Sequence, residues 1–184
     1  QYLMHLAVGT SFAIIIPTSI VSVLTHKKHK SVDFNLIRTY GVFVVAGVLI
    51  GTIFAALMKT KSLLMFFSFV VYFLGTYLLL IKEKLKEVKK EFGFYSRIVF
   101  GFISGFVSAL MGIGGAIINV PILRYFGYPI NISIGSAAAV GFVIALFGAI
   151  GFLLSGSFMQ ANLPLSVGFI NIPTFLIFVP VTTF

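Results

Sequence analysis

The stretch SALMGIGGAIINVP, residues 108–121, decides how this chain folds, because it places three glycines within four residues of a long apolar segment. Glycine weakens a helix and adopts left-handed backbone conformations that other residues avoid. Gly112, Gly114 and Gly115 do not follow the four-residue spacing by which small residues pack membrane helices together. We therefore predict that the apolar segment 98–126 is a helix with a break at these glycines.

The two pieces of this segment, 98–111 and 116–126, would be about 21 Å and 16 Å long as helices. Each is too short to cross a hydrocarbon layer of roughly 30 Å. Backbone groups freed by a break must bond to protein or water, since each unsatisfied group in lipid costs several kcal/mol. We therefore expect the break to lie at a protected interior site. Two other sets of small residues recur every four positions and are assigned to helix packing: Gly47, Gly51 and Ala55, and Gly101, Gly105 and Ala109.

The composition is typical of a membrane protein. Hydrophobic residues make up 59% of the chain and charged residues 9%, and the mean hydropathy is +1.13. A soluble domain of average composition is far less apolar. The predicted fold class is therefore all-α, a polytopic helical membrane protein with a broken or re-entrant helix. The six candidate spans are residues 3–25, 34–58, 62–81, 98–126, 131–154 and 165–184.

An internal repeat relates the two halves of the chain. HLAVGTSFA at 5–13 matches NISIGSAAA at 131–139 at one fixed offset. We predict a first transmembrane repeat, a charged linker and a second repeat, at residues 1–81, 82–97 and 98–184. The first repeat lacks a counterpart of the broken segment and the second has fewer later spans, so we interpret the chain as an internal fragment. The alternative is chance similarity between two apolar stretches.

Lysine and arginine give a prediction of orientation, because short cytoplasmic loops of membrane proteins are enriched in both. We predict that the connection 26–33 and the linker 82–97 are cytoplasmic, and that the chain crosses the cytoplasmic membrane several times. Simple alternation of spans puts Lys59, Lys61 and Arg124 on the other side. If the broken segment enters the membrane and returns to the side from which it came, Arg124 lies on the same side as most of the basic residues. This re-entrant arrangement fits the charges better, and it would make the two repeats inverted relative to each other.

The break also indicates a binding site for an anion. The second piece would begin with free N–H groups and the partial positive charge of a helix N-terminus. All four acidic residues lie in connections or at their edges, which disfavours a buried cation site. The candidate substrate-binding residues are Gly112, Gly114, Gly115, Ala116, Ser108 and Asn119 at the break, with Thr10, Ser11 and Ser136 from the two repeat copies. The alternative for each hydroxyl is a bond to its own helix backbone.

Several other functions have no support in the sequence. The net charge of +9 does not indicate nucleic acid binding, because the basic residues form no face interleaved with aromatic residues. His26 and His29 have no third ligand nearby, and cysteine is absent, so we expect no metal and no cofactor. No catalytic motif indicates an enzyme. His5 near a span end is interpreted as an interfacial histidine, with a proton carrier as the alternative.

These motifs together carry a family resemblance. GFISGFVSALMGIGGAIINVPILRYFGYPINISIGSAAAV, residues 101–140, resembles the sulfite exporter (TauE/SafE) family of membrane permeases, and HLAVGTSFAIIIPTS at 5–19 with HKKHKSVDF at 26–34 looks like the motif of the partner repeat. The resemblance implies a two-repeat secondary transporter of small sulfur-containing anions, such as sulfite or organosulfonates. The expected partners are this anion and membrane lipid, and a homo-oligomer is compatible with it. A non-transporting membrane subunit and an anion channel are the alternatives.

Overall fold

The structure is a computed structural model that describes residues 2–80, 92–159 and 164–183. Within these ranges the chain is almost entirely helical, which confirms the predicted fold class. The elements are α1 (Leu3–Lys28), α2 (Phe34–Leu57), α3 (Thr60–Leu80), α4 (Phe94–Met111), α5 (Ala116–Tyr125), α6 (Ile130–Phe158), β1 (Ser166–Val167), β2 (Ile170–Asn171) and α7 (Ile172–Thr183). Among the described residues, α1, α2, α3, α4 and α6 are long and apolar enough to span a membrane.

The predicted linker 82–97 falls mostly outside the described residues, which resume at Phe92. Its last residues are already helical, because α4 begins at Phe94 directly after Gly93. The predicted repeats remain a prediction. Their helices nevertheless share one core, since α2 packs along α4 and α1 packs along α6.

The sixth predicted span, 165–184, was wrong as an uninterrupted helix. Residues 166–171 form a short antiparallel hairpin in which Ser166 pairs with Asn171. The turn needs Gly168, whose φ is +57°. The helix α7 that follows covers residues Ile172–Thr183. The side chain of Asn171 ends the hairpin by accepting hydrogen bonds from the N–H and hydroxyl of Thr174, at 3.0 Å and 2.7 Å.

Small residues bring α2 and α4 into close contact, as predicted. A Cβ atom on Gly105 would lie 2.9 Å from the carbonyl carbon of Val44, and one on Gly51 would lie 2.7 Å from the Cβ of Ala109. Val44 of α2 lies against Gly105 of α4, and Gly51 of α2 lies against Ala109 of α4. The contact positions increase together along both helices, so α2 and α4 run in the same direction. The backbones can approach this closely only because these side chains are absent.

The segment from α4 to α5 enters the bundle and returns to the end where it began. The ring of Phe126, directly after α5, stacks on Phe92 just before α4 with centroids 4.3 Å apart. Midway along the pair, Asn119 of α5 bonds to Ser104 of α4. The two helices therefore form a hairpin that places Arg124 at the same end as the start of α4, and the position of this hairpin relative to the membrane remains a prediction.

This geometry defines two ends of the bundle. We call the end formed by residues 26–34, 92–97 and 124–133 the basic end, and the end formed by residues 2–5, 57–61, 158–159 and 164–171 the opposite end. Asp33 and Ser136 bond to each other at the basic end. The helices α1 and α6 run antiparallel between the two ends.

Candidate anion site at the helix break

The break has the bounds that the glycines predict, since α4 ends at Met111 and α5 begins at Ala116. Gly112 closes α4 in the left-handed conformation, with φ 70° and ψ 28°, and its N–H donates to the carbonyl of Ser108 at 3.0 Å. Gly115 precedes α5 in the same region, with φ 71° and ψ −5°. Two left-handed residues within one turn cannot continue an α-helix, and only glycine adopts them without strain.

On one side the break lies against α1. A Cβ atom on Gly112 would lie 3.0 Å from the Cα of Val8, and one on Gly114 would lie 3.2 Å from Cγ2 of Ile15. The hydroxyl of Ser11, between these two residues, donates to the carbonyl of Gly112 at 2.7 Å. The broken backbone is therefore supported by protein on this side, as the cost of unsatisfied groups requires.

On the other side the break lies against the middle of α6. Gly141 has no side chain and so admits the carbonyl oxygen of Gly114, while Gly115 is close to the side chain of Ile144. Gly115 is buried, whereas Ala116 and Ile117 at the start of α5 are exposed. The N-terminus of α5 is thus held from two sides and open on a third.

Asn119 fixes the break from within α5. Its side chain is completely buried, and its amide nitrogen donates to the carbonyl of Gly115 at 2.8 Å. Its Oδ1 accepts hydrogen bonds from the hydroxyls of Tyr40 at 2.7 Å and Ser104 at 2.8 Å. The structure therefore places Asn119 as a positioning residue, whose direct contact with a ligand remains a prediction.

Two of these partners were absent from the sequence prediction. Ser104 precedes Ser108 by four residues, so both hydroxyls lie on the face of α4 that meets α5, and this spacing could have found Ser104. Tyr40 comes from α2, and no local signal in the sequence links it to the break.

Ser108 has no partner for its hydroxyl among the described residues, although the side chain is completely buried. Its Oγ lies 3.2 Å from the position that a Cβ atom on Gly115 would occupy. A buried polar atom without a hydrogen bond lowers the stability of a protein by about 1–3 kcal/mol. An unpaired buried hydroxyl such as that of Ser108 is therefore unusual. The contact of this hydroxyl with a ligand remains a prediction.

The backbone around the break has the same imbalance of donors and acceptors. Within the described ranges, no acceptor is found for the N–H groups of residues 113–117. By contrast, the carbonyl of Gly112 accepts from Ser11, and the carbonyl of Gly115 accepts from Asn119. Donors at the start of α5 are free while the carbonyls of Gly112 and Gly115 are occupied, which is an arrangement that the partial positive charge of a helix N-terminus can offer to an anion.

The hydroxyls predicted from the two repeats lie at different places. Ser11 is at the break, whereas the hydroxyl of Thr10 accepts from the N–H of Asn171 at 2.9 Å. Ser136 accepts from the N–H of Asp33 at 3.0 Å, at the basic end. These three bonds join separate elements and do not return to the hydroxyl's own helix. The structure therefore brings Ser11 to the break and leaves Thr10 and Ser136 away from it.

A cavity of about 460 Å³ lies between α1 and α7, and its lining includes Ser11, which bonds to the backbone of the break. Its polar lining comes from the hydroxyls and amide of Thr10, Ser11, Asn171 and Thr174. Ile15, which contacts Gly114, lines it as well. These hydroxyl and amide groups can hydrogen-bond a small anion or a neutral solute. Among the described residues no group of three potential metal ligands is found.

Comparisons with known proteins agree with this architecture. The sequence profile of the family described as Sulfite exporter TauE/SafE matches residues 2–184. A probable membrane transporter protein of Haemophilus influenzae is 30% identical over 174 residues, covering 95% of this chain and 66% of the relative. A probable membrane transporter protein of Methanocaldococcus jannaschii is 27% identical over 172 residues, covering 93% of this chain and 63% of the relative.

The chain thus spans slightly less than two thirds of the length of these curated relatives. No solved structure gives a significant match. The profile match covers nearly every residue, including both motifs that carried the resemblance in the sequence. The chain belongs to the sulfite exporter TauE/SafE family.

Proposed function

We propose that this protein is a secondary transporter of small sulfur-containing anions, such as sulfite or organosulfonates, across the cytoplasmic membrane. The observation that carries the proposal is the start of α5, where free N–H groups meet the unpartnered, buried hydroxyl of Ser108. The family name supports an anion of this class as the substrate, and the names of the relatives support membrane transport.

The break selects an anion through its backbone. A helix N-terminus carries a partial positive charge of roughly half an elementary unit, and its free N–H groups donate to a bound oxyanion. Ser11 and Asn119 bond the carbonyl oxygens of Gly112 and Gly115, which would otherwise repel an anion. No carboxylate is needed or expected there, because Asp33, the acidic residue of the described ranges, lies at the basic end.

Transport requires that the site open to each side in turn. In transporters built from repeats, one repeat moves against the other around a central site near a broken helix. Here the break lies between α1 of the first predicted repeat and α6 of the second. We propose that relative movement of these two helices exposes the start of α5 alternately to each side.

The basic end is proposed to face the cytoplasm, following the bias of lysine and arginine in cytoplasmic loops. Because the chain has no cysteine, single cysteines can be placed at the two ends, as Lys30→Cys and Ser157→Cys. In intact cells an impermeant thiol reagent added outside should label the Ser157→Cys variant and spare the Lys30→Cys variant. The reverse pattern would contradict this orientation.

Flux into liposomes tests the transport function. Gly114→Leu would place a large side chain against Ile15 at the break, whereas Gly75→Leu on α3 meets nothing within 4 Å. We expect sulfite or ethanesulfonate uptake to fall at least about tenfold, or 1.4 kcal/mol, in Gly114→Leu. Gly75→Leu should retain uptake, and both variants should fold.

The other outcomes of this experiment separate the alternatives. A scaffold whose glycines only pack helices would lose assembly in Gly114→Leu. An anion channel would show uptake that does not saturate with anion concentration. Wild-type protein that moves neither sulfite nor any sulfonate would contradict the proposed substrate class.

A further inference from the structure

At the opposite end of the bundle, α1 holds the connection that follows α6. A Cβ atom on Gly9 would lie 3.1 Å from the carbonyl carbon of Phe169, so this close approach requires a glycine. Two residues after Phe169, the N–H of Asn171 donates to the hydroxyl of Thr10 at 2.9 Å. The side chain of Asn171 then accepts from the N–H of Thr174, in the first turn of α7, at 3.0 Å. The start of α7 is therefore fixed to α1.

At the basic end, α6 holds the connection that follows α1 in the same way. A Cβ atom on Gly135 would lie 2.8 Å from the carbonyl carbon of Ser31. Two residues after Ser31, the N–H of Asp33 donates to the hydroxyl of Ser136 at 3.0 Å. The side chain of Asp33 then accepts from the N–H of Leu36, in the first turn of α2, at 3.0 Å. The start of α2 is therefore fixed to α6.

The positions of these contacts correspond one by one. The glycine and the hydroxyl on α1 precede those on α6 by 126 positions, and the two connections are 138 positions apart. A further bond follows the same numbers. The N–H of Ser31 donates to the carbonyl of His26 at 3.0 Å. The equivalent N–H of Phe169 donates to the carbonyl of Phe152 at 3.4 Å, again 126 positions after His26.

The residue before each of these N–H donors has a left-handed backbone. Lys30 has φ 54° and Gly168 has φ 57°. This conformation is uncommon for a residue other than glycine. Chance similarity between two apolar stretches does not account for matching bonds, helix caps and backbone conformations at fixed spacing. The two connections are therefore built alike, at opposite ends of the bundle.

The break between α4 and α5 lies where equivalent positions of α1 and α6 meet. Gly114 lies against Ile15 of α1 and Gly141 of α6, which are also 126 positions apart. Thr10 precedes Ile15 by five residues and Ser136 precedes Gly141 by five, so each hydroxyl is about 7.5 Å along its helix from the break. Because α1 and α6 run antiparallel, the two hydroxyls lie on opposite sides of the break.

The contact at the opposite end also forms part of a cavity wall. Thr10, Asn171 and Thr174 line the cavity of about 460 Å³ between α1 and α7. Ser11, which bonds to the backbone of the break, lines the same cavity. Release of α7 from α1 would therefore widen a space that extends to the break.

We propose that the hydroxyls of Thr10 and Ser136 are equivalent latches of two gates, related by an inverted repeat. The Thr10 latch holds α7 against α1 and closes the break towards the opposite end. The Ser136 latch holds α2 against α6 and closes the break towards the basic end. Opening one latch while the other stays closed exposes the start of α5 to one side only. This role in transport rests on the proposed function, whereas the equivalence of the two latches does not.

The sidedness of labelling at the start of α5 tests the latches. The chain has no cysteine, so Ala116→Cys supplies a single reporter there. An impermeant maleimide is added to right-side-out or to inside-out membrane vesicles, and the ratio of the two labelling rates is measured. Thr10→Val and Ser136→Ala, each combined with the reporter, remove one latch hydroxyl at a time.

Loss of one latch should shift the population towards the state that is open at that end. We expect the ratio to change at least about threefold in one direction in Thr10→Val and in the other direction in Ser136→Ala, as the loss of one hydrogen bond allows. The matched controls are Thr25→Val on α1 and Ser157→Ala on α6, whose hydroxyls bond their own helices. Neither control should change the ratio.

A general loss of stability would change labelling from both faces alike and would not move the ratio in opposite directions. Thr10→Ser keeps the hydroxyl and should keep the wild-type ratio. If Thr10→Val does not fold, Thr10→Ala takes its place. A ratio that moves the same way in both latch variants, or fails to move in either, would overturn the latches.

Uptake into liposomes distinguishes this inference from the proposed function. Opposite shifts of the labelling ratio in a protein that moves neither sulfite nor any sulfonate would support the latches and contradict the proposed function. Saturable sulfonate uptake by a protein whose ratio is unchanged in both latch variants would do the reverse.

Discussion

Two sets of glycines lie within a few residues of each other and have different structural roles. Gly101 and Gly105 have ordinary helical backbone conformations and let α4 approach α2, where a Cβ atom on Gly105 would meet the backbone of Val44. Gly112 and Gly115 have positive φ and end one helix and start another. The first set serves packing through a missing side chain, and the second serves a site through an unusual backbone.

The largest effect on stability is expected in the packing set. Gly105→Ala would force the backbones of α2 and α4 apart, because the added carbon would lie 2.9 Å from the carbonyl carbon of Val44. We expect the free energy of unfolding to fall by about 3 kcal/mol. Gly41→Ala in α2 is the control, since its Cβ atom would meet only Ile37 at 3.9 Å. Similar losses in both variants, measured by denaturant unfolding in micelles, would refute the close approach.

The second largest loss of stability is expected in the buried hydrogen-bond network of Asn119, which fixes the break. Asn119→Ala removes the acceptor that the Tyr40 and Ser104 hydroxyls share, and it leaves the Tyr40 hydroxyl with its longer bond of 3.3 Å to the carbonyl of Phe100. We expect a loss of about 2 kcal/mol in the free energy of unfolding, together with loss of uptake. Asn35→Ala, at an exposed position of α2, should change neither quantity. A fully stable Asn119→Ala variant would mean that the network does not fix α5.

A smaller loss of stability is expected from the backbone of the break itself. Gly115→Ala would put a side chain on a residue with φ 71°, at a cost of about 1–2 kcal/mol, and crowd the start of α5. Gly93→Ala is the matched control, because Gly93 also precedes a helix but has φ −64° and open space around it. We expect uptake to fail only in Gly115→Ala. Equal uptake in the two variants would count against a functional role for the left-handed glycine.

Ser108→Ala should have the smallest effect on stability and a clear effect on binding. Because its hydroxyl is buried without a partner among the described residues, its loss should not lower the free energy of unfolding and should raise it by about 1 kcal/mol. The affinity for ethanesulfonate should fall about tenfold, the value of one hydrogen bond to a charged group. Ser68→Ala on the exposed side of α3 serves as control. Unchanged affinity would remove Ser108 from the site.

The sequence predicted the break well because glycine acts locally. The positions of Gly112 and Gly115 alone set the end of α4 and the start of α5. The hairpin at 166–171 was missed because its turn lies in an apolar run, where Gly168 and Asn171 are weak signals beside so many hydrophobic residues. Hydropathy detects burial in lipid, and it does not detect a short hairpin that packs on a helix.

The site could be predicted only in part, for a similar reason. Gly115 and Ser108 could be proposed from the sequence because they lie in or next to the glycine-rich stretch that forms the break. Tyr40 was missed because it reaches Asn119 from another helix, and the place of Ser136 beside Asp33 depends on tertiary packing. The local backbone conformation could be predicted from the sequence, whereas hydrogen bonds between residues 79 or 103 positions apart could not.

The central claim is that the start of α5 presents positive potential to an anion, and the reactivity of a cysteine at Ala116 tests it most directly. Ala116 is exposed, and the chain has no other cysteine. Ala116→Cys would be treated with an anionic sulfonate reagent and a cationic ammonium reagent of the same methanethiosulfonate type. Each rate is divided by the rate of that reagent with Ser157→Cys. We predict faster relative reaction with the anionic reagent and protection by ethanesulfonate, whereas a preference for the cation, or no protection, would contradict the account.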